Sequence, residues 1–364
     1  MTGMDQVSID YVASSAGPCG LGNDVVVTPY LVAEEGYCVV VRALSDKEVY
    51  NQIEKADGEF VTIRKGDVFV GALGERQALK GYSGRIPRRV AREDTLQVLN
   101  MGGIIGLCSS DHPELGMPLD VEVIGAVMVE SEGTLRHARI QDHALEPVFA
   151  LPNSAPLIMI SGTAMNTGKT FAAAEIVRGL TDAGLKIAAA KLTGAALMRD
   201  VRAMKEYGAT QVASFIDAGV VSSTGKDITP LAKAIITHLN GGTPDAIVLE
   251  LGDGFIGYYG VDDLLLDKEL QRFTCAHIVA AADLAGAWAA DYTFRHRYQT
   301  GITALTGPVT DNLVGKQYIE KSIGVAALNA RADTEKLIKI VHHSIGLPSR
   351  VSTLGAGQPI GMVI

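Results

Sequence analysis

The spacing of apolar and polar positions divides this chain into two halves of different character. In the first half, short stretches rich in Val and Ile are separated by Gly, Asp and Pro, a pattern typical of β-strands joined by turns. These stretches lie at 24–28, 38–44, 60–63, 67–73, 96–100, 104–108 and 121–129. A single amphipathic helix is predicted at 45–56, where Ser45 is placed to cap the first turn. Many short strands with few helices predict a small barrel or sandwich.

The second half alternates between strand and helix. Strands are predicted at 157–161, 186–192, 211–216, 246–251, 277–281, 302–305 and 324–327. Helices are predicted between them, at 170–183, 197–207 and 230–239 and after each of the last three strands. This alternation favours a parallel sheet covered by helices on both faces.

The segment between the halves is rich in proline. Pro147, Pro152 and Pro156 favour an extended linker. We therefore expect an α/β protein in which a smaller β-rich domain, residues 1–150, precedes a doubly wound parallel-sheet domain, residues 151–364.

Composition and charge narrow the classes of function. The chain has 364 residues and a net charge of −9, and its length suffices for two domains. The first 150 residues hold 13 Lys and Arg against 22 Asp and Glu, and the remainder holds 19 of each. Such a balance argues against nonspecific nucleic-acid binding, which depends on neutralising phosphates.

Short apolar runs broken by Gly predict no membrane span. The four cysteines without a Cys-x-x-Cys pair, and the absence of a signal-like N-terminus, predict a cytoplasmic protein with free thiols.

The most specific motif lies between the first predicted strand and helix of the second half. The apolar stretch 157–161 leads into Gly162-Thr-Ala-Met-Asn-Thr-Gly168-Lys169-Thr170, and a long helix follows. This is the context of a P-loop, in which backbone N–H groups and the helix N-terminus hold phosphate oxygens. Five residues separate the two glycines, where the standard motif has four. The alternative is a glycine turn that happens to end in Gly-Lys-Thr, but the flanking strand and helix make it weak.

The loop resembles that of dethiobiotin synthetase and its relatives among the P-loop proteins, a class that includes nitrogenase iron protein and the MinD-like ATPases. The resemblance covers residues 156 to about 345 and leaves the first half unmatched. It implies that ATP and Mg²⁺ are bound, with Lys169 on the β- and γ-phosphates and Thr170 on Mg²⁺. The nucleotide-binding residues it implies in the loop are Gly162, Thr163, Asn166, Thr167, Gly168, Lys169 and Thr170.

Further positions match the family at the ends of later strands. Lys191 corresponds to a lysine beside the reacting groups, so the resemblance implies a catalytic role. Asp200 fits the acidic metal ligand that follows the second strand, and Asp217 is a second choice. Glu250 matches a strand-end Glu that completes the Mg²⁺ shell. Because Leu251 separates Glu250 from Gly252, Asp253 competes with it as a ligand. For Asp200 and Asp217, each taken alone, the alternative is an ordinary surface or capping carboxylate.

The sequence indicates less clearly which residues bind the base of the nucleotide. The GTPase signature Asn-Lys-x-Asp is absent, which favours ATP over GTP. The family binds adenine through loops after the last two strands, which implies Thr306 and Asn329, although both segments fit ordinary loops. The lysine that the dimeric MinD-like branch carries near the start of the loop is replaced by Thr163 and Ala164. This argues against a nucleotide-driven dimer switch.

The acidic half contains one basic cluster, with five Lys or Arg residues in positions 80–92. Arg85 and Arg88 within it are candidates to bind an anionic substrate, and Asp253 is a further candidate from the second half. The alternative is a solvated loop that pairs with nearby acidic residues.

These features predict an ATP- and Mg²⁺-dependent enzyme that acts on a small molecule. The resemblance implies a ligase that forms a C–N bond through an activated carboxylate or carbamate, and it implies a homodimer. Direct phosphorylation of the substrate, as by a kinase, remains open. The competing hypothesis is a nucleotide-binding accessory protein, a slow NTPase that delivers a cofactor or regulates a partner.

Overall fold

Two large β-sheets and one two-stranded sheet organise residues 3–346, the part of the chain that is described by a computed structural model. Twelve strands belong to the N-terminal part: β1 (Asp5–Ser8), β2 (Tyr11–Val12), β3 (Asp24–Thr28), β4 (Cys38–Ala43), β5 (Gln52–Glu54), β6 (Phe60–Thr62), β7 (Val68–Leu73), β8 (Ser83–Arg85), β9 (Thr95–Val98), β10 (Ile104–Ser110), β11 (Leu119–Ser131) and β12 (Thr134–His137). Short 3-10 turns at Ser14–Cys19 and Ile140–His143 complete this part.

Five of these strands close into a barrel. Strand β11 pairs with β4, β4 with β7, β7 with β10, β10 with β9, and β9 again with β11. All of these pairs are antiparallel except β7 with β10, which is parallel. The register of β11 against β4 shifts between Val123 and Gly125, and beyond this shift β11 pairs with β3 and β12. The predicted β-rich domain is thus a closed barrel with a short antiparallel extension.

Side chains alternate across the barrel wall, as the period of a strand requires. On β4, Val39 and Val41 belong to the apolar cluster inside the barrel, together with Phe69 of β7. The intervening Val40 belongs to a different cluster, which also contains residues of the C-terminal part. One face of the barrel therefore packs against the second half of the chain.

The C-terminal part is a parallel sheet with helices on both faces. The strand order is β15-β14-β16-β13-β17-β18-β19, and every pair is parallel. Its elements are β13 (Leu157–Gly162), α1 (Lys169–Asp182), β14 (Ile187–Thr193), α2 (Arg199–Glu206), β15 (Gln211–Ser214), α3 (Thr229–Asn240), β16 (Ala246–Leu251), α4 (Val261–Leu266), α5 (Lys268–Phe273), β17 (Thr274–Ala280), α6 (Leu284–His296), β18 (Ala304–Thr306), α7 (Leu313–Tyr318), β19 (Ala326–Ala327) and α8 (Thr334–Ile345). The predicted doubly wound α/β fold is confirmed.

The first strand of this sheet, β13, lies at its centre. Ile158 and Ile160 pack on one face, in a cluster with side chains of α1, α2 and α8. Leu157 and Met159 pack on the other face, in a cluster that contains side chains of α3 to α6. Because both faces are covered, the strands are apolar throughout, as is usual for parallel sheets.

The helix predicted at 45–56 is wrong. Residues 52–54 form β5, which pairs antiparallel with β6, and residues 45–51 form no helix. Lys47, within this range, donates to the carbonyl oxygens of Leu115 and Met117, at 2.6 and 2.8 Å. Pairing with a strand further along the chain decides the conformation here, and local periodicity does not show it.

The proline-rich segment has no helix or strand between the turn that ends at His143 and the start of β13. Its backbone is held by the C-terminal part, since the Leu145 N–H donates to Asp217 O and the Val148 N–H donates to Pro230 O. A boundary near residue 150 stays a prediction.

The four cysteines lie within the described residues and form no disulfide. Two of them, 19 positions apart in sequence, are close in space: Cys19 Sγ and Cys38 Sγ are 3.5 Å apart. The sequence separation of these thiols therefore does not reflect their distance in the fold.

The barrel forms several hydrogen bonds to one segment of the C-terminal part. This segment, residues 194–202, follows β14 and includes the start of α2. Asn100 Nδ2 donates to Ala196 O at 2.6 Å, and the Met198 N–H donates to Glu54 Oε2 at 2.6 Å. Arg202 donates to the carbonyl oxygen of Ala56 at 3.0 Å. We call residues 194–202 the barrel-held segment.

Gly102 determines how closely the barrel approaches this segment. A Cβ atom at position 102 would lie 1.7 Å from Ala196 O, a backbone atom that cannot move aside alone. We predict that Gly102→Ala lowers the free energy of unfolding by about 1–3 kcal/mol, the usual cost of overpacking. Gly22→Ala is the matched control, because no atom lies within 4 Å of its Cβ position; its effect is expected within about 0.5 kcal/mol. Urea unfolding of both variants checks this, and equal losses would contradict the close packing.

Candidate functional site

The loop between β13 and α1 has the conformation that a P-loop needs. Thr167 Oγ1 donates to Ala164 O at 3.0 Å, which folds the loop on itself. Gly168 has φ +88°, in the left-handed region that glycine adopts without steric cost. Helix α1 then begins at Lys169, so its first N–H groups face the loop. A helix N-terminus behind such a loop is an anion-binding site.

Lys169 is the first residue of α1, and its side chain extends back into this loop. Its side chain is buried, and its Nζ donates to Ala164 O at 2.8 Å. Burial lowers the pKa of Lys169, and the carboxylates of Glu250 and Asp253 oppose that shift. The ammonium group thus lies where phosphate oxygens held by the loop would be placed, with carboxylates near it.

Three oxygen-bearing side chains from three elements meet beside the loop. The hydroxyl oxygen of Thr170, on α1, lies 2.9 Å from Glu250 Oε1, at the end of β16. It also lies 3.2 Å from Asp200 Oδ1, on α2. Hydroxyl and carboxylate oxygens at the edge of a phosphate loop form the kind of set that binds Mg²⁺.

Lys191 forms a buried ion pair with Asp200. It lies near the end of β14 and is paired in register with Glu250 of β16. Burial alone would lower the pKa of Lys191, but the charges of Asp200 and Glu250 raise it above its usual value. For Asp200, burial favours the neutral acid, but Lys191 outweighs this and the net pKa is lowered. Both groups are therefore held in their charged forms.

Glu250 has the most unusual environment of the set. Burial, with the charge of Asp200 adding to it, raises its pKa to about 7. Its Oε2 atom is buried and has no hydrogen-bond partner among residues 3–346. A buried carboxylate oxygen without a partner is costly. A divalent cation bound by Thr170, Asp200 and Glu250 would satisfy it, so these residues fit Mg²⁺.

A cavity of about 430 Å³ collects most of the residues predicted from sequence. It lies at the carboxyl ends of the strands, where ligands bind in open α/β sheets. The predicted residues that line it are Asn166, Thr167, Gly168, Lys169, Thr170, Lys191, Asp200, Glu250 and Asp253. Their roles toward a nucleotide stay predictions, but the structure brings them together.

Other predicted residues lie outside this cavity. Asp217 accepts the Ser214 N–H at 2.7 Å, within its own turn. Arg85 and Arg88 are exposed on the barrel. Gly162 is the buried last residue of β13, and Thr163 Oγ1 accepts the Ala282 N–H at 3.2 Å.

The two residues assigned to the base are also engaged elsewhere. Thr306 Oγ1 accepts the Ala330 N–H at 3.1 Å. Asn329 Nδ2 donates to Asp311 Oδ1 at 2.9 Å. Both side chains organise the loops after β18 and β19, and their contact with a base stays a prediction.

The barrel contributes two lining residues that sequence reasoning missed, Arg76 and Asn100. Arg76 follows β7 and is buried, and its Nη1 donates to Leu99 O at 2.5 Å. Its Nε is buried and has no hydrogen-bond partner in the part of the chain that the structure describes. The predicted basic cluster at 80–92 begins four positions after Arg76 in the sequence. The one available signal was a basic residue soon after an apolar strand.

Comparison with known proteins identifies no family for this chain. No family model matches it, and no curated protein matches it. Among solved structures, it resembles the signal recognition particle receptor FtsY from Elizabethkingia anophelis, with 14% identity and a TM-score of 0.37, over 57% of this chain and 70% of that one. It also resembles the signal recognition particle 54 kDa protein from Aeropyrum pernix K1 in complex with GDP, with 15% identity and a TM-score of 0.36, over 57% of this chain and 50% of that one.

A third similar structure is the hydrogenase maturation factor HypB from Archaeoglobus fulgidus, with 13% identity and a TM-score of 0.33, over 53% of this chain and 91% of that one. At these identities and TM-scores, the likeness carries no argument about the activity of this chain. It gives no support to the predicted ligase activity or to ATP over GTP.

No helix within residues 3–346 has the length and apolar character that crossing a bilayer requires.

The buried pair of Lys191 and Asp200 predicts a strong energetic coupling. Lys191→Met and Asp200→Asn should each lower the free energy of unfolding by about 3–5 kcal/mol, since each leaves a buried charge unpaired. The double variant should lose clearly less than the two together. The exposed pair of Arg42 and Glu122, at 2.8 Å, is the control, with an expected coupling below about 1 kcal/mol. Additive losses at Lys191 and Asp200, measured by urea unfolding, would contradict the pair.

Proposed function

We propose that this chain binds a nucleoside triphosphate with Mg²⁺ and transfers its γ-phosphoryl group. One observation carries the proposal. The loop before α1, two buried lysines and the oxygens of Thr170, Asp200 and Glu250 converge on one cavity at the carboxyl ends of β13, β14 and β16.

Each lysine has a distinct place in this proposal. Lys169, inside the loop, binds the β- and γ-phosphates. Lys191 lies on β14, two strands away from β13 in the sheet, beside Asp200, and stabilises the charge on the transferring group. Catalysis of phosphoryl transfer rests mostly on such positioning and charge stabilisation. Because both ammonium groups are buried and already surrounded by carboxylates, little reorganisation is needed when phosphate oxygens arrive.

Thr170, Asp200 and Glu250 would hold the Mg²⁺ ion. When bound, the ion supplies positive charge that neutralises the phosphate oxygens. The unpartnered Oε2 of Glu250 supports this assignment. Asp217 lies outside the cavity, so Glu250 and Asp200 are the better pair of carboxylates.

ATP is the expected nucleotide, because the sequence has no Asn-Lys-x-Asp signature. The loops of Thr306 and Asn329 are the expected base contacts. Parallel titrations with ATP and GTP decide between the two nucleotides.

In the simplest form of this function, water accepts the γ-phosphoryl group. This form matches the hypothesis of a nucleotide-binding accessory protein. A small-molecule acceptor is the second candidate. It is favoured by a second cavity, of about 700 Å³, which shares the lining residues Asp253 and Tyr259 with the first. Formation of a C–N bond by a ligase, and a homodimer, rest only on the resemblance stated above. ADP release that depends on an added small molecule would favour the enzyme over the accessory protein.

Removal of the loop lysine tests nucleotide binding. Lys169→Ala should raise the dissociation constant for MgATP by about a hundredfold or more, because charge-assisted bonds to the phosphates are lost. Lys336→Ala, an exposed lysine on α8, is the control and should bind normally. Isothermal titration measures both, and thermal unfolding shows whether each variant is folded. Normal MgATP binding by a folded Lys169→Ala protein would contradict the proposal.

Exchange of the strand-end carboxylate tests the metal site. Glu250→Gln should raise the Mg²⁺ concentration needed for half-maximal hydrolysis by about tenfold or more, because one anionic ligand is lost. Asp217→Asn should leave this concentration unchanged, since Asp217 lies outside the cavity. Hydrolysis followed at increasing MgCl₂ gives both values. The reverse order of effects would favour Asp217 as the ligand.

A further inference from the structure

Two cysteines of the barrel lie close enough to react with each other. Cys38 is the first residue of β4, and Cys19 is the last residue of the 3-10 turn Ser14–Cys19. Their sulfur atoms are 3.5 Å apart, and one thiol donates a hydrogen bond to the other. A disulfide joins sulfur atoms about 2 Å apart, so an approach of about 1.5 Å converts this contact into a bond.

The two thiols differ in their access to solvent. Cys38 is 1% exposed and belongs to the apolar cluster that the barrel shares with the C-terminal part. Cys19 is half-buried. Cys19, and not Cys38, lines a cavity of about 450 Å³ on the barrel. A small solute that enters this cavity therefore meets one sulfur atom of the pair and not the other.

The hydrogen bond between the thiols determines which sulfur atom carries negative charge. The bond from Cys38 lowers the pKa of Cys19 and outweighs burial and the charge of Asp142, which act in the opposite direction. The same bond raises the pKa of Cys38, and burial adds to this effect. Since the thiolate is the nucleophilic form, Cys19 is the attacking sulfur and Cys38 keeps its proton.

The other two cysteines provide a comparison within the same chain. The thiols of Cys108 and Cys275 donate to backbone oxygens, those of Ser110 and Leu157, each at 3.4 Å. Burial raises the pKa of both thiols. Cys108 and Cys275 thus lack the neighbouring thiol that favours a thiolate at Cys19.

The turn that carries Cys19 has room to move toward Cys38. Gly20 follows it with φ +58°, and no atom lies within 4 Å of the Cβ position of Gly20. Cys38 is fixed by comparison, because it pairs with Ala72 of β7 and its N–H donates to Ala138 O at 3.0 Å. The strand therefore holds one sulfur atom in place while the end of the turn supplies the approach.

We propose that Cys19 is a thiol that reacts with hydroperoxides and then forms a reversible disulfide with Cys38. A thiolate that solvent reaches, with a second thiol beside it, is the arrangement found at redox-sensing cysteines. None of the residues that line the phosphate cavity takes part. The inference therefore goes beyond the proposed function and does not depend on it.

The oxidation proceeds in two steps. The Cys19 thiolate attacks the terminal oxygen of the hydroperoxide, an S–O bond forms and the O–O bond breaks. The departing oxygen keeps the electron pair of that bond, takes up a proton and leaves as water or an alcohol. The Cys38 sulfur then bonds to the Cys19 sulfur, and the sulfenic hydroxyl leaves with the Cys38 proton as water. Two sulfur atoms are oxidised and one peroxide is reduced, and an added thiol reverses the bond by exchange.

Peptide mapping of the full chain tests the disulfide. The protein is reduced, freed of reductant and treated with one equivalent of hydrogen peroxide, and the remaining thiols are alkylated. Cleavage after the acidic residues Asp24, Glu34 and Glu35, which lie between the two cysteines, leaves peptides that only a disulfide joins. We expect two of the four thiols to be lost, the peptides of Cys19 and Cys38 to be joined, and dithiothreitol to restore both thiols.

Three outcomes of this map would overturn the proposal. They are the absence of joined peptides, the equal oxidation of all four cysteines, and a disulfide between two copies of the chain. A non-reducing gel detects the last of these.

Variants assign the roles within the pair. Cys38→Ala should stop the reaction at the sulfenic acid of Cys19, which dimedone traps. Cys19→Ser should lower the rate of peroxide consumption by about tenfold or more, because the remaining thiols are protonated. Cys108→Ser is the matched control and should form the disulfide at the unaltered rate. Unchanged peroxide consumption by Cys19→Ser would overturn the proposal. Since Cys19 is half-buried, its variant remains informative if circular dichroism shows that Cys38→Ala does not fold.

Discussion

Seven charged side chains line the phosphate cavity. One of them, Arg199, is exposed, and the site depends on how the other six, which are buried or half-buried, balance. Arg76, Lys169 and Lys191 face the carboxylates of Asp200, Glu250 and Asp253. A buried charge without a partner is costly, so each group is tolerated only because opposite charges lie beside it. The balance is already met by the protein itself. A triphosphate that enters the cavity brings excess negative charge, which explains in electrostatic terms why the site should require a metal cation together with its nucleotide.

The barrel has two roles in this site. It supplies Arg76 directly, and it holds residues 194–202 through Asn100 and Glu54. That segment includes Asp200, the partner of Lys191. The position of a proposed Mg²⁺ ligand is thus set by hydrogen bonds from the N-terminal part, although the ligand itself belongs to the C-terminal part. The unmatched first half of the chain is therefore best understood as part of the site's framework.

Local sequence was enough to predict the parts of the site that are continuous along the chain. The loop from Gly162 to Thr170 could be found because strand, loop and helix follow one another, and Glu250 because it ends an apolar strand. The two glycines stand one residue further apart than in the standard motif, and the loop still turns into α1 at Lys169. Arg76 could not be predicted, because its place in the cavity depends on how the barrel packs against a segment far along the chain. The same reason explains the helix wrongly predicted at 45–56, where β6 supplies the pairing. Arg85 and Arg88 belong to a basic cluster by composition. Composition does not show whether such side chains face a cavity or the solvent.

The largest apolar cluster contains residues from both halves of the chain. Val40 and Val70 of the barrel belong to the same cluster as Leu157 and Leu249 of the parallel sheet. A cut in the proline-rich segment would therefore leave each piece with an apolar face that its partner covers in the whole chain. The two halves differ in charge and in architecture, yet they should be inherited, expressed and unfolded as one unit. Exchange of the barrel for that of another protein would require matching this buried face as well as the site.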